Sequence, residues 1–198
     1  MCQFVDAIQY TDGEFKRLAY HQKRAEYALK EHYPTSPIFS IFDYLRQIDL
    51  PKHGTYKIRL LYSNYIVSYE CIPYQMKEII TLKLAQTTTI SLYYKKADRK
   101  DYKIANADES NNTEILFVKN NLITDTSYAN VALLQNGIWY TPRTPLIFGV
   151  NRASLLDQGL IKEKDIAVKE INRYEKIAIF NAMIEFGSCI LPTDCIFR

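Results

Sequence analysis

The run Asp125-Thr126-Ser127-Tyr128-Ala129-Asn130, followed by Trp139-Tyr140-Thr141-Pro142 and then Gly149-Val150-Asn151-Arg152, decides the fold of this chain. The last of the three segments opens a helix. A glycine placed just before a helix start lets backbone N–H groups face an anion, and the helix dipole adds to the attraction. A Gly-x-x-Arg helix start alone fits many loop-to-helix turns. The order of the segments says more: a carboxylate, a hydroxyl-rich turn ending in Asn, a strand closing on Thr-Pro, then Pro145-Leu146 and the glycine turn.

Working outward, Ile115 to Lys119 and Leu122 to Thr124 flank Asn120-Asn121, a tight hairpin turn. Val131 to Leu134 and Ile138 to Thr141 flank Gln135-Asn136-Gly137, a second one. Arg152 to Gln158 reads as a helix that stops at Gly159. Asp165 is expected to cap a short element, and Tyr174 to Phe186 to supply one more strand or helix. Upstream, Ile79 to Leu84 and Thr88 to Tyr94 are β-rich, and Asp98 to Ala105 suits a short helix. Tyr56 to Tyr62 and Tyr65 to Ile72 are strand-like, split by Ser63-Asn64. Phe4 to Tyr10 is a strand ended by Thr11-Asp12-Gly13. Phe15 to Leu29 and Ile38 to Ile48 are helices, the second capped at Ser36-Pro37. The outline is α+β. A boundary near residues 74–88 gives a small α/β lobe over 1–80 and a strand-rich lobe over 81–198, and ligands favour such boundaries.

Taken together, these segments resemble the C-terminal half of class IV aminotransferases and 4-amino-4-deoxychorismate lyases. The residues that carry the resemblance are Asp125, Thr126, Ser127, Asn130, Thr141, Pro142, Pro145, Leu146, Gly149 and Arg152, continued by Leu155-Leu156, Gly159, Ile161 and Asn181-Ala182-Met183. It covers roughly the last 110 residues well and the first half loosely. The resemblance implies fold-type IV, the D-amino acid aminotransferase-like architecture, with pyridoxal 5'-phosphate (PLP) as cofactor. In the lyase branch the Schiff-base lysine opens a Lys-x-x-x-Arg segment some thirty residues before the carboxylate. Lys95-Lys96-Ala97-Asp98-Arg99 matches this, with Lys95 the candidate and Lys96 its competitor. His21-Gln22-Lys23-Arg24 resembles the family's His-x-x-Arg helix, which assigns Arg24 to the cofactor phosphate. Arginine suits that job because its planar fork gives bidentate contacts. His21 is expected to be structural, packed against Tyr20 or the adjacent strand.

The implied roles are catalysis by Lys95 and cofactor binding by Arg24, Asp125, Thr126, Ser127, Asn130, Gly149, Val150 and Asn151. Asp125 stands where the family usually places Glu against the pyridine nitrogen, so the ring or the backbone must shift to meet the shorter arm. Nothing upstream of Phe4 matches the family's N-terminal hairpin. Arg59 and Arg143 are candidates for a substrate carboxylate or for surface ion pairs. The implied function is a 4-amino-4-deoxychorismate lyase that releases pyruvate and 4-aminobenzoate for folate. The alternatives are an aminotransferase for branched-chain or D-amino acids and a non-catalytic protein of the same fold. Lys95 and Arg99 match the lyase spacing, and no Tyr stands five residues after Lys95, where branched-chain enzymes carry one. The partners implied are a small-molecule amino substrate and a second copy of the chain in a homodimer.

Composition agrees with these expectations. A chain of 198 residues can bury a core without disulfides. The net charge of +3, with basic residues spread among acidic ones, argues against nucleic acid. Cys2, Cys71, Cys189 and Cys195 form no Cys-x-x-Cys pair, and the 3 histidines are scattered, so no metal is expected. No apolar run reaches the ~20 residues of a membrane span, and Met1 to Gln9 does not read as a signal peptide. The expected location is the cytoplasm.

Overall fold

The computed structural model describes residues 2–88, 95–97 and 112–197. The strand expected beyond Thr88, the helix expected over 98–105 and Arg99 lie outside them. The chain forms two compact units, one of residues 1–75 with 94–98, the other of residues 76–93 with 99–198.

The first unit is a four-stranded sheet ordered β2 (Glu14–Phe15), β1 (Phe4–Thr11), β3 (Thr55–Tyr62), β4 (Ile66–Pro73), carrying two helices. Strand β1 (Phe4–Thr11) runs antiparallel to β3 (Thr55–Tyr62), from Phe4 opposite Tyr62 to Thr11 opposite Thr55. Strand β4 (Ile66–Pro73) continues the sheet from β3. Helix α1 (Leu18–His32) contributes Ala25 and Ala28 to a core with Phe4, Ile8, Ile58 and Leu60. The small residues let the helix approach closely. The helix starts three residues later than its periodicity implies. Asp12 and Gly13 both take positive φ, 48° and 91°, and fold Glu14–Phe15 back on β1 as β2. Phe15 then packs on Tyr10 with ring centroids 4.8 Å apart, which removes it from the helix. Helix α2 (Ile41–Leu45) is shorter than expected. Its cap is Ser40, whose Oγ accepts from the Asp43 N–H at 3.1 Å, rather than Ser36. Gln22 of α1 secures this start, donating to the Phe39 carbonyl and accepting from the Ile41 N–H.

The second unit holds two sheets. One has the order β13 (Ile196–Phe197), β5 (Thr81–Gln86), β6 (Thr113–Lys119), β7 (Leu122–Thr126), and the other β10 (Lys162–Lys164), β9 (Ile138–Pro142), β8 (Asn130–Gln135), β11 (Lys176–Phe180), β12 (Ile190–Pro192). In the first, β5 (Thr81–Gln86) and β6 (Thr113–Lys119) are parallel. Strand β6 turns into antiparallel β7 (Leu122–Thr126). Asn120 and Asn121 supply φ of 51° and 63°, the backbone of a primed turn that matches strand twist. In the second sheet, β8 (Asn130–Gln135) and β9 (Ile138–Pro142) are joined the same way through Asn136 and Gly137. Helix α3 (Val150–Asp157) follows, then β10 (Lys162–Lys164), parallel to β9. The segment expected as strand or helix over 174–186 contains strand β11 (Lys176–Phe180). It lies between β8 and β12 (Ile190–Pro192). Its four residues Ile177 to Phe180 are completely buried, as an interior strand requires. Strand β13 (Ile196–Phe197) closes the chain beside β5. Leu155 of α3 packs with Ala132, Ile161, Ala178 and Phe180, which fixes the helix on its sheet. No helix among the described residues is long and apolar enough to cross a membrane.

Candidate functional site

In the first unit, the short segment 95–97 is pinned along the start of β1. The Val5 N–H donates to the Lys95 carbonyl at 2.8 Å and the Ala97 N–H to the Gln3 carbonyl at 2.9 Å, with Lys96 bridged to Phe4. Side chains alternate along such a segment: Lys95 is half-buried and Lys96 exposed. The charge of Lys95 is felt by Asp6, the residue after Val5.

Asp6 is the centre of a buried polar cluster. Its Oδ1 accepts from the Ala7 N–H at 2.7 Å, from His21 Nδ1 at 2.8 Å and from Arg24 Nη2. Asp6 and His21 are wholly buried, and the Arg24 side chain is 11% exposed. Asp6 Oδ2, His21 Nε2 and Arg24 Nε are buried with no hydrogen-bond partner among the described residues. Burial pushes the Asp6 carboxyl up, but Arg24, His21 and Lys95 outweigh it and hold the group ionised, well below the usual carboxylate range. Burial pushes His21 below its ordinary value, against the pull of Asp6. A carboxylate only accepts, so the neutral imidazole carries its proton on Nδ1. His21 thus faces the adjacent strand as a structural donor. Asp6 was not among the candidate residues; the one trace of it in the sequence is a carboxylate between apolar neighbours in a strand.

In the second unit, Asp125 is buried one residue before the end of β7. Oδ1 accepts from Asn130 Nδ2 and Oδ2 from the Ile147 N–H, both at 2.9 Å. Burial pushes its pKa up to about 6, while the Ile147 and Asn130 hydrogen bonds and the Arg152 charge pull the other way. Asn130 Nδ2 also donates to the Ile147 carbonyl at 2.9 Å. A Cβ on Gly149 would stand 2.0 Å from Asn130 Oδ1, so only glycine allows the two segments to meet there. Thr126 Oγ1 closes the turn that returns the chain to Asn130, accepting from the Ala129 N–H at 3.0 Å and donating to the Ala129 carbonyl at 3.2 Å. The Ser127 N–H donates to Glu114 Oε1 at 3.2 Å, which also takes the Ile115 N–H. Glu114 is a second buried carboxylate absent from the candidate list.

Gly149 is the N-cap of α3; among the described residues no side chain caps this helix, and no acidic residue lies in its first turn. The first N–H groups of a helix have no partner inside it, so the turn at Val150 and Asn151 is electrically suited to an anion. The Asn151 side chain is committed elsewhere, donating to the Asn181 and Ile184 carbonyls. Arg152 is buried and bridges the Pro142 carbonyl at 2.9 Å and Glu163 Oε1 at 2.7 Å, which staples α3 to β9 and β10. Arg59 pairs with Glu70 and Arg143 with Asp165, all on the surface. A groove of about 520 Å³ in this unit, lined by Leu84, Val168, Thr193 and Phe197 among others, contains none of the candidate residues. Among the described residues no group of His, Cys, Asp or Glu is arranged to hold a metal.

The family model of class IV amino-transferases matches residues 51–189. An uncharacterized protein of Haemophilus influenzae is 31% identical over 186 residues, 92% of this chain and 98% of its own length. A crystal structure from Haemophilus somnus 129PT, provisionally named a 4-amino-4-deoxychorismate lyase, superposes with a TM-score of 0.85 at 28% identity, over 93% of this chain and 98% of that one. An aminotransferase of Brucella abortus, solved with PLP bound, shares the fold with a TM-score of 0.68 at 16% identity, over 96% of this chain and 79% of that one.

Proposed function

The chain belongs to the class IV aminotransferase family, and on that premise we propose that it is a PLP-dependent 4-amino-4-deoxychorismate lyase that releases pyruvate and 4-aminobenzoate. The observation that carries this reading is the position of Lys95, a half-buried lysine beside the buried Asp6–Arg24 pair. The choice of the lyase branch is supported by the full-length likeness to the Haemophilus somnus protein.

The residues present suit PLP. Arg24 has a buried Nε without a hydrogen bond among the described residues, so donors remain for a phosphate. The start of α3 has no side-chain cap among the described residues and no acid in its first turn, so its backbone N–H groups suit an anion. Asp125 is a buried carboxylate whose raised pKa marks a place where a cation is welcome. In this reading Lys95 attaches the cofactor, Arg24 and the backbone at Gly149, Val150 and Asn151 take its phosphate, and Asp125 keeps a proton on the ring nitrogen. Thr126, Ser127 and Asn130 shape the turn that aims Asp125. PLP, when bound, supplies an electron-accepting ring. Lys95 Nζ supplies the base that removes the substrate Cα proton and the acid that protonates the departing enolpyruvyl group. The small-molecule amino substrate, a cytoplasmic setting and a homodimer belong to the same reading.

A lyase needs no keto-acid acceptor. The test supplies aminodeoxychorismate alone and follows 4-aminobenzoate over many turnovers. Sustained release is expected. No product, together with amino-group transfer from D-alanine or leucine to a keto acid, would move the assignment to an aminotransferase.

A further inference from the structure

The cluster on β1 gives one carboxylate three donors on a single oxygen. Asp6 Oδ1 is shared by the Ala7 N–H, His21 Nδ1 and Arg24 Nη2, while Oδ2 is buried and makes no hydrogen bond among the described residues. Arg24 is therefore gripped by one nitrogen, not by the two parallel bonds that an arginine and a carboxylate form when they saturate each other. Its Nε, also buried, makes no hydrogen bond among the described residues. His21 satisfies Asp6 without adding charge, since burial keeps the ring neutral. A long side chain that must meet an anion loses rotamer freedom on binding, and holding it beforehand removes that cost.

We propose that Asp6 is a positioning residue: by holding Arg24 through Nη2 before any ligand arrives, it fixes the guanidinium so that its remaining N–H groups meet the phosphate of the cofactor. This rests on the reading of Arg24 as the phosphate contact. Asp6 acts through Arg24 and touches no reacting atom.

The test separates the phosphate from the rest of the cofactor. Affinities for PLP and for pyridoxal, which lacks the phosphate, are measured by absorbance titration of the wild type, Asp6→Asn, Arg24→Gln and the double variant. Asp6→Asn should weaken PLP on the order of tenfold and leave pyridoxal unchanged, and should add nothing in the Arg24→Gln background. Equal losses for both ligands, no loss, or losses that add in the double variant would each overturn the proposal. A wild type that binds PLP no better than pyridoxal would instead remove the phosphate reading of Arg24, and this inference with it. Nitrogen-15 spectra of the wild-type arginine side chains, recorded without PLP, test the idea with no substitution. A guanidinium Nη–H of Arg24 protected from exchange before PLP is added is expected; one that gains protection only on adding PLP contradicts it.

Discussion

Asn130 holds Asp125 in place: its amide donates to Oδ1 at 2.9 Å, and the same nitrogen donates at 2.9 Å to the carbonyl of Ile147, whose own N–H donates to Oδ2. Both carboxylate oxygens therefore face donors. Changing Asp125 to Asn points an amide N–H at one of them, leaving two donors opposed. The variant should lose about 1–3 kcal/mol of stability, read as a lower melting temperature. Turnover should fall much more than PLP affinity, because the ring nitrogen loses its counter-ion. Equal losses in turnover and affinity would assign Asp125 to folding alone.

Gly149→Ala tests the contact from the other side. The added methyl meets Asn130 Oδ1 at 2.0 Å, so either α3 or Asn130 must move. PLP affinity and melting temperature should both fall. Gly187→Ala, at a positive-φ site with nothing within 4 Å, controls for backbone strain and should lower the melting temperature only. Unchanged PLP affinity in Gly149→Ala would mean that the turn at Val150 and Asn151 is not the anion seat.

Stability should depend on pH through two opposed groups. Asp125 in the folded protein titrates at about 6, above its ordinary 3.8. The folded state then holds a proton that the unfolded chain has lost, so this contribution is full below pH 3.8 and lost as pH rises through 6. Its size is at most about 3 kcal/mol. His21 is shifted below 6.5, so its contribution is full above pH 6.5 and lost on acidification. Denaturant melts of the protein without PLP should show His21→Asn gaining stability from pH 6.5 to 4.5, and Asp125→Asn losing it over that range. Parallel profiles for the two variants would contradict both assignments.

The assembly is expected to be a homodimer with the same patch used on both copies. Light scattering at micromolar concentration should give twice the chain mass of 23.1 kDa; a mass of one chain would argue against it.

Much of the fold could be read locally. Asn120-Asn121 and Asn136-Gly137 name primed turns because few other residues accept positive φ, and the Phe4 to Tyr10 run partly alternates, as strands do. What escaped depends on partners far along the chain. The start of α1 moved because Phe15 found Tyr10 across a hairpin. Asp6 draws its meaning from His21 and Arg24, 15 and 18 residues away. Glu114 meets the Ser127 N–H, 13 residues on. The motif around Asp125 was legible as a series of residue types, yet that Asn130 and Ile147 occupy both of its oxygens could not be.

Covalent trapping tests whether Lys95 carries the cofactor. The protein is mixed with PLP, reduced with borohydride, digested and mapped by mass spectrometry. A pyridoxyl group on Lys95, with Lys96 unmodified, is the result expected from a half-buried amine beside Asp6 and Arg24. A label on Lys96, or no label on any lysine, would contradict it.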